Sequence, residues 1–460
     1  MKIWIQRLPA VLVFFLTAGL QIPAVLAQGS LTPPGAPAPM MKSLAQIEPR
    51  IPISSAPLTI TNAGSYYLTT NITVSSGNAI TINSNNVTLD LMGFTISSTD
   101  PGNTGSAILL NSGPGGIVLQ NITILNGFIR GAVTGIGSGV YSGSGFSYGI
   151  ARGFGFAPEN VRITGISISG CASYGIYLNS GGSTVVESCT VRTVGYAGIN
   201  AAIVKNSSAE DCGSYAIIAT QVSDCLGETS GNNTTAISAQ TAQNCTCSGG
   251  GIGLSTTTAN NCVCYFCGTG IITTSGGTLT GCSATSCFNT GINAGSYSIL
   301  ENCAAYGNFT NGIVAGQGCT VRHCTASVNG LSSGFTNGVG IISDIRSTIE
   351  GCTVNDNYND GIIASGDSAI LDNHASHNGL GYGSAAGIHT VGSGSRIEGN
   401  HTRDNSGYGI KSDAGPNGDI IIRNTSGGNG IAAYTPTSGN NFAPVQTPAT
   451  MTNPLANIAF

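Results

Sequence analysis

The chain has 460 residues, of which 68 are Gly, 8% are charged and 6% are aromatic, and its formal net charge is −5. So few charges exclude a bundle of amphipathic helices with solvated faces, whereas abundant Gly, Ser, Thr and Asn suit many short strands joined by tight turns. Beyond residue 42 the only lysines are Lys205 and Lys411, which excludes the clustered basic surface that nucleic acid requires.

Taken in chain order, residues 1–27 read as a secretory signal. Lys2 and Arg7 precede an apolar stretch from Ala10 to Leu20, and small residues lead to Ala24-Val25-Leu26-Ala27. Cleavage near Ala27 is expected, with the mature protein secreted, periplasmic or at the cell surface. No later segment approaches the run of about 20 apolar residues that a bilayer demands, so no transmembrane segment is expected in the mature chain. Residues 28–57 form a Pro-rich leader. Within it Met41, Leu44, Ala45 and Ile47 fall near helical spacing, which predicts a short capping helix over 41–48.

From residue 58 the chain alternates Ile, Val and Leu with Thr and Asn, as in the segment from Gly77 to Ser97. Residues 131–158 break the pattern with a Gly-rich segment carrying Tyr141, Phe146, Tyr148, Phe154 and Phe156. This is either an excursion or one or two coils of shifted register. Further on a Gly-Ile pair recurs at Gly270, Gly291, Gly312, Gly340, Gly361, Gly387, Gly409 and Gly430, most often 21 residues apart. Before each pair stand two positions, five residues apart, filled by Cys early and Asn late: Cys262 with Cys267, Cys303 with Asn308, Asn373 with Asn378.

A repeat of about 21 residues that fits three short strands and three turns is the unit of a parallel β-helix, whose coils stack at the strand spacing of about 4.8 Å. The expected fold is therefore all-β, a single-stranded right-handed parallel β-helix over residues 58–435 with interior Cys and Asn ladders, followed by a tail over 436–460. Stacked Asn amides hydrogen-bond up such a ladder, and buried Cys is a compact apolar substitute. A disulfide framework suits an exported chain, but parallel Cβ vectors and the odd count of 15 cysteines disfavour it. The Cys245-Thr-Cys247 and Cys262-Val-Cys264 groups lack the His and the spacing of a zinc site and fall on inward columns.

The segments "MKSLAQIEPRIPI", "PLTITNAGSYYLTTNITV", "NNVTLDLMGFTI" and "GDIIIRNTSGGNG" resemble the start and end signatures of secreted bacterial right-handed parallel β-helix proteins of the pectate-lyase-like fold. The resemblance covers roughly residues 41–445 and implies association with polysaccharide. It carries over no catalytic residue. The paired Asp-Asp and Gly-His-Gly of polygalacturonase-like hydrolases, the Asp-Pro-His-Asp of alginate-epimerase-like proteins and the basic Arg-x-Pro-x-x-Arg stretch of pectate lyases are missing.

The expected function is binding or processing of a cell-surface or environmental glycan; the alternative is a non-catalytic structural or adhesive envelope protein. If the chain is an enzyme, it is a polysaccharide lyase or a glycoside hydrolase. Four of the five histidines fall within residues 374–401. On the repeat, His374 and His401 share an outward column, Arg403 lies in the next, and Asp356, His377 and Asp404 share a turn column. This set is the candidate catalytic face, a His beside Asp being a proton shuttle and Arg403 a partner for a uronate. Tyr358, Tyr382 and Tyr408 are candidate sugar-stacking residues. No cofactor is evident, and a divalent cation such as calcium is left open.

Overall fold

In the computed structural model many strands are short, their side-chain alternation ended by a left-handed residue. The description covers residues 48–111, 118–137, 139–155, 157–179, 181–330, 338–381, 383–413, 418–435 and 439–460. The signal peptide, all but the last residue of the 41–48 helix, and Tyr382 lie outside them. Arg50–Phe460 forms one unit. Among the described residues there is no helix, and one sheet of 46 strands pairs in parallel throughout.

The turn that precedes each inward Cys or Asn is a single residue at positive φ. Asn261, Asn302, Asp372 and Arg423 hold φ of 52°, 54°, 54° and 57° before Cys262, Cys303, Asn373 and Asn424. Asn and Asp populate this region most readily among non-Gly residues, so the column is rich in them. The following amide then turns inward and is met by the ladder. Asn357 Oδ1 accepts both the backbone N–H and the Nδ2 of Asn329, at 3.1 and 2.9 Å, while its own Nδ2 donates to Asn378 Oδ1 and to the Ala326 carbonyl. The same pattern runs through Asn373, Asn400, Asn424 and Asn457. All 15 cysteines are free and buried. Several donate to the carbonyl two residues earlier, as Cys324 does to Arg322 at 3.2 Å.

The Gly-Ile pair follows from the same ladder. A Cβ on Gly361 would stand 2.5 Å from the Gly387 carbonyl and 2.7 Å from Asn378 Nδ2, so only glycine fits beside the amides. The isoleucines after it, Ile292, Ile313, Ile341, Ile362 and Ile388, are fully buried, each worth roughly 1.5–3 kcal/mol. A third inward ladder accompanies the two read from sequence. Ser347 N–H is met by Ser368 Oγ, Ser368 N–H by Ser395 Oγ, Ser395 N–H by Asp419 Oδ1, and Asp419 N–H by Asn440 Oδ1.

Both boundaries of the stack need correction. Its first strand, Ile51–Ile53, comes from the Pro-rich leader and pairs with Tyr66 to Leu68. The segment past 438 is not a tail: Asn441–Phe442 and Asn457–Ala459 pair with the last full coil, and Asn457 is the final rung of its Asn ladder. The Gly-Ile signature ends before this segment, but the amide that the ladder needs does not. Residues 131–158 hold both alternatives. Thr134–Gly137 and Val140–Ser142 form an antiparallel hairpin outside the stack, and the coil resumes at Tyr148–Arg152, paired with Ser106–Leu110 below and Tyr174–Tyr177 above.

Candidate functional site

The column registers derived for the C-terminal candidate residues are those of the structure: Thr353, His374 and His401 pair in line, as do Asn355, Ser376 and Arg403. The imidazoles of His374 and His401 stack at 5.1 Å, and Phe460 stacks on His401 at 6.3 Å with the Arg403 guanidinium 5.8 Å over its ring. Partial burial, then the charges of His401 and His377, hold His374 below its ordinary pKa. Asp356, His377 and Asp404 occupy left-handed turn positions, at φ 57°, 55° and 53°, a conformation that itself selects Asp. His377 Nε2 lies 3.8 Å from Asp404 Oδ2, with both side chains substantially exposed, and Arg403 Nε donates to the same oxygen at 3.1 Å. Tyr358 and Tyr408 do not join this face as a row. Tyr408 pairs with Ala386 and Ala432 on another strand, and the Tyr358 ring is packed so closely under Gly381 that a Cβ there would stand 2.0 Å from it.

Aromatic density is greatest near the other end. Tyr148 and Tyr174 are in register on successive coils and stack at 5.7 Å with 13° between their planes. Tyr177 lies 4.7 Å from Tyr174, Tyr196 follows at 5.0 Å, and Tyr215 continues the row 6.1 Å from Tyr196. Beside them a cleft of about 430 Å³ is lined by Tyr148, Tyr174, Tyr177, Ser106, Asn111, Arg152 and Phe154. Arg152 is the one charged residue of that lining. Its Cζ sits 5.4 Å over the Tyr177 ring and one of its nitrogens donates to the Gly155 carbonyl at 2.7 Å, while its buried Nε has no partner among the described residues. Phe154 stands fully exposed at the rim. Burial, reinforced by the phenols of Tyr196, Tyr177 and Tyr148, pushes Tyr174 up to about 12, so it stays a neutral hydroxyl.

The cleft opens onto a long outward column. Ala151, Tyr177, Asn200, Ile218, Ser238 and Ser255 are successive rungs, and a depression of about 340 Å³ follows between Ile218 and Thr274, edged by the hydroxyls of Ser238, Ser255 and Thr257. Tyr148 and Phe154 stand out in the sequence, but the cleft does not. Its tyrosines fall at irregular spacings, and only strand pairing aligns them. Among the described residues no group of three or more His, Cys, Asp or Glu is placed to hold a metal ion.

Residues 152–295 match the family model of the right-handed β-helix region. The chain is a right-handed parallel β-helix. Solved structures similar to this β-helix include the mannuronan C-5 epimerase AlgE6 A-module of Azotobacter vinelandii, at 15% identity and a TM-score of 0.27 over 86% of this chain and 89% of that one. Tailspike protein 3 of bacteriophage CBA120 is 12% identical, with a TM-score of 0.34, over 85% and 60% of the two chains. DFA-IIIase from Arthrobacter chlorophenolicus A6 in complex with DFA-III is 12% identical, with a TM-score of 0.26, over 86% and 88%. No curated protein matches the sequence. At these values the likenesses carry no argument about this chain. No helix among the described residues is long and apolar enough to cross a membrane.

Proposed function

We propose that this β-helix, exported by its N-terminal signal, binds a polysaccharide chain in the cleft walled by Tyr148, Tyr174 and Tyr177 and along the outward column that runs on from Tyr177 through Asn200 and Ile218. The observation that carries the reading is the cleft itself, an apolar concavity with a few convergent polar groups, of the size and make-up that small-molecule sites take. Aromatic rings offer apolar area to the C–H faces of a sugar, and hydroxyls and amides beside them meet its hydroxyls. Coils rising about 4.8 Å each extend the same chemistry along the axis, as a polymer requires. Arg152, on a protein of net charge −5, favours a glycan that carries an acidic group. The cleft lining holds neither carboxylate nor imidazole, so its geometry supports binding and offers no acid–base pair.

The test is to measure binding of the mature protein to polygalacturonate, hyaluronan and xylan, for the parent and for Tyr174→Ala and Tyr177→Ala. Loss of binding with an unchanged melting temperature is expected. Equal binding by parent and both variants, or binding to none of the three polymers, counts against the cleft.

A further inference from the structure

Three successive coils meet at His389, which the expected catalytic face did not include. The residue points outward from Ala386–Val391, with Ile363 in register beneath it and Lys411 above. Its Nε2 is 2.8 Å from Asp413 Oδ2, and its Nδ1 is 3.5 Å from Asp360 Oδ2. Lys411 Nζ lies 3.2 Å from that Asp413 oxygen and 3.2 Å from His389 Nε2. The other oxygen of Asp360 accepts the Ala386 N–H. The side chains of His389 and Asp360 are only 13% and 10% exposed, so water replaces little of that contact, whereas Lys411 and Asp413 form the exposed side of the cluster. Among the described residues Asp360, Asp413 and Lys411 are the charged groups that face the ring, and its own strand adds none.

A neutral imidazole has one N–H and one lone pair. Here each ring nitrogen faces a carboxylate oxygen, and only the imidazolium donates to both. Protonated, the cluster of two carboxylates, one ammonium and one imidazolium is neutral. Deprotonated, it holds a net negative charge in a half-buried site and gives up one of the two carboxylate bonds, Nε2 then accepting from Lys411 Nζ.

We infer that His389 is a proton-operated clasp, tying together the coils that carry Asp360, His389 and Asp413 when it is protonated and loosening them as pH rises. Burial opposes the charge, but the hydrogen bonds to Asp360 and Asp413 outweigh it and hold His389 above its ordinary pKa of 6.5. A raised histidine contributes stability that is fully present below the unfolded value and is lost as pH rises through the folded one. For Asp413 burial is likewise outweighed, by the bonds from His389 and Lys411, so its pKa falls below 3.8. Its contribution is present above that value and lost as pH falls through the depressed one. The clasp is therefore tightest between roughly pH 4 and 6.5.

The experiment is hydrogen exchange with mass spectrometry on the full chain at about pH 5.5 and about pH 8.5, corrected for intrinsic rates, with strand Ile313–Ala315 as the internal reference. Peptides over Ala386–Val391 and Tyr408–Ser412 should lose protection at the higher pH, about tenfold for each unit by which His389 is raised, and His389→Gln should abolish that dependence. Equal pH dependence in parent and variant overturns the clasp. If His389→Gln does not fold, NMR titration of the five histidines decides: one histidine of the parent must titrate above 6.5 and move down in Asp413→Asn. No such resonance, or one unmoved by Asp413→Asn, also overturns it.

Discussion

Two stretches of one stack solve the same packing problem differently. Between Ala197 and Thr280 the coils run in long strands such as Ala197–Lys205 and Ile252–Asn260, and paired positions lie as little as 17 residues apart, as Ala242 and Ala259 do. From Cys282 onward every strand is short, a third turn is inserted, and Asn308 and Asn329 recur 21 residues apart. The long-strand coils are filled mainly by aliphatic side chains and Cys, which need only volume, with buried hydroxyls such as those of Thr256 and Thr273 bonded to backbone carbonyls. The three-turn coils leave more inward backbone N–H groups at their corners, and there Asn, Ser and Asp side chains accept them. Polar ladders thus accompany the three-turn coils, within which the thiol column persists as far as Cys352, whose N–H is met by Asn373 Oδ1.

The contrast predicts unequal costs. Asn357→Leu removes the acceptor for two Asn329 donors and one of the two donors to Asn378 Oδ1, leaving buried groups unpaired, and should cost at least about 3 kcal/mol by denaturant unfolding. If it costs under about 1 kcal/mol, the Asn ladder is not what holds the three-turn coils. Cys303→Phe in the thiol column overpacks instead, and about 1–3 kcal/mol is expected from the same measurement. The thiols themselves should resist reagents until the fold opens, because burial pushes Cys171 up to about 12 and Cys189 to about 11. Labelling of most cysteines in the native protein would contradict their burial. Smallest of all should be His377→Ala and Arg403→Ala, whose contacts to Asp404 are exposed; changes within about 0.5 kcal/mol are expected in thermal melts.

The same contrast explains what the sequence disclosed. Where Gly361, Asn357 and Ile362 recur with their counterparts, one geometry dictates each residue type, so the inward columns and even the outward line of His374 and His401 could be registered. Between Ala197 and Asn260 the third corner is missing, strands run on to nine residues, and aliphatic residues fit many registers. The third ladder escaped notice because Ser, Cys, Asp and Asn share its positions. The tyrosine cleft was illegible for a related reason. Tyr148, Tyr174, Tyr177 and Tyr196 come from coils of different length, interrupted by the Thr134–Ser142 hairpin whose Tyr141 hydroxyl binds Asp211 at 2.7 Å. His389 sat among the other histidines in sequence yet belongs to a different face, because Asp360 and Asp413 reach it from neighbouring coils.

The claim most in need of measurement is that glycan binding belongs to the aromatic end of the stack and not to the histidine face. Titration calorimetry with a polysaccharide that binds the parent should show at least about tenfold weaker binding for Tyr174→Ala, about 1.4 kcal/mol, with parental affinity retained by the His377→Ala and Arg403→Ala double variant. Parental affinity in Tyr174→Ala together with lost binding in the double variant would contradict the account and return the site to the C-terminal column.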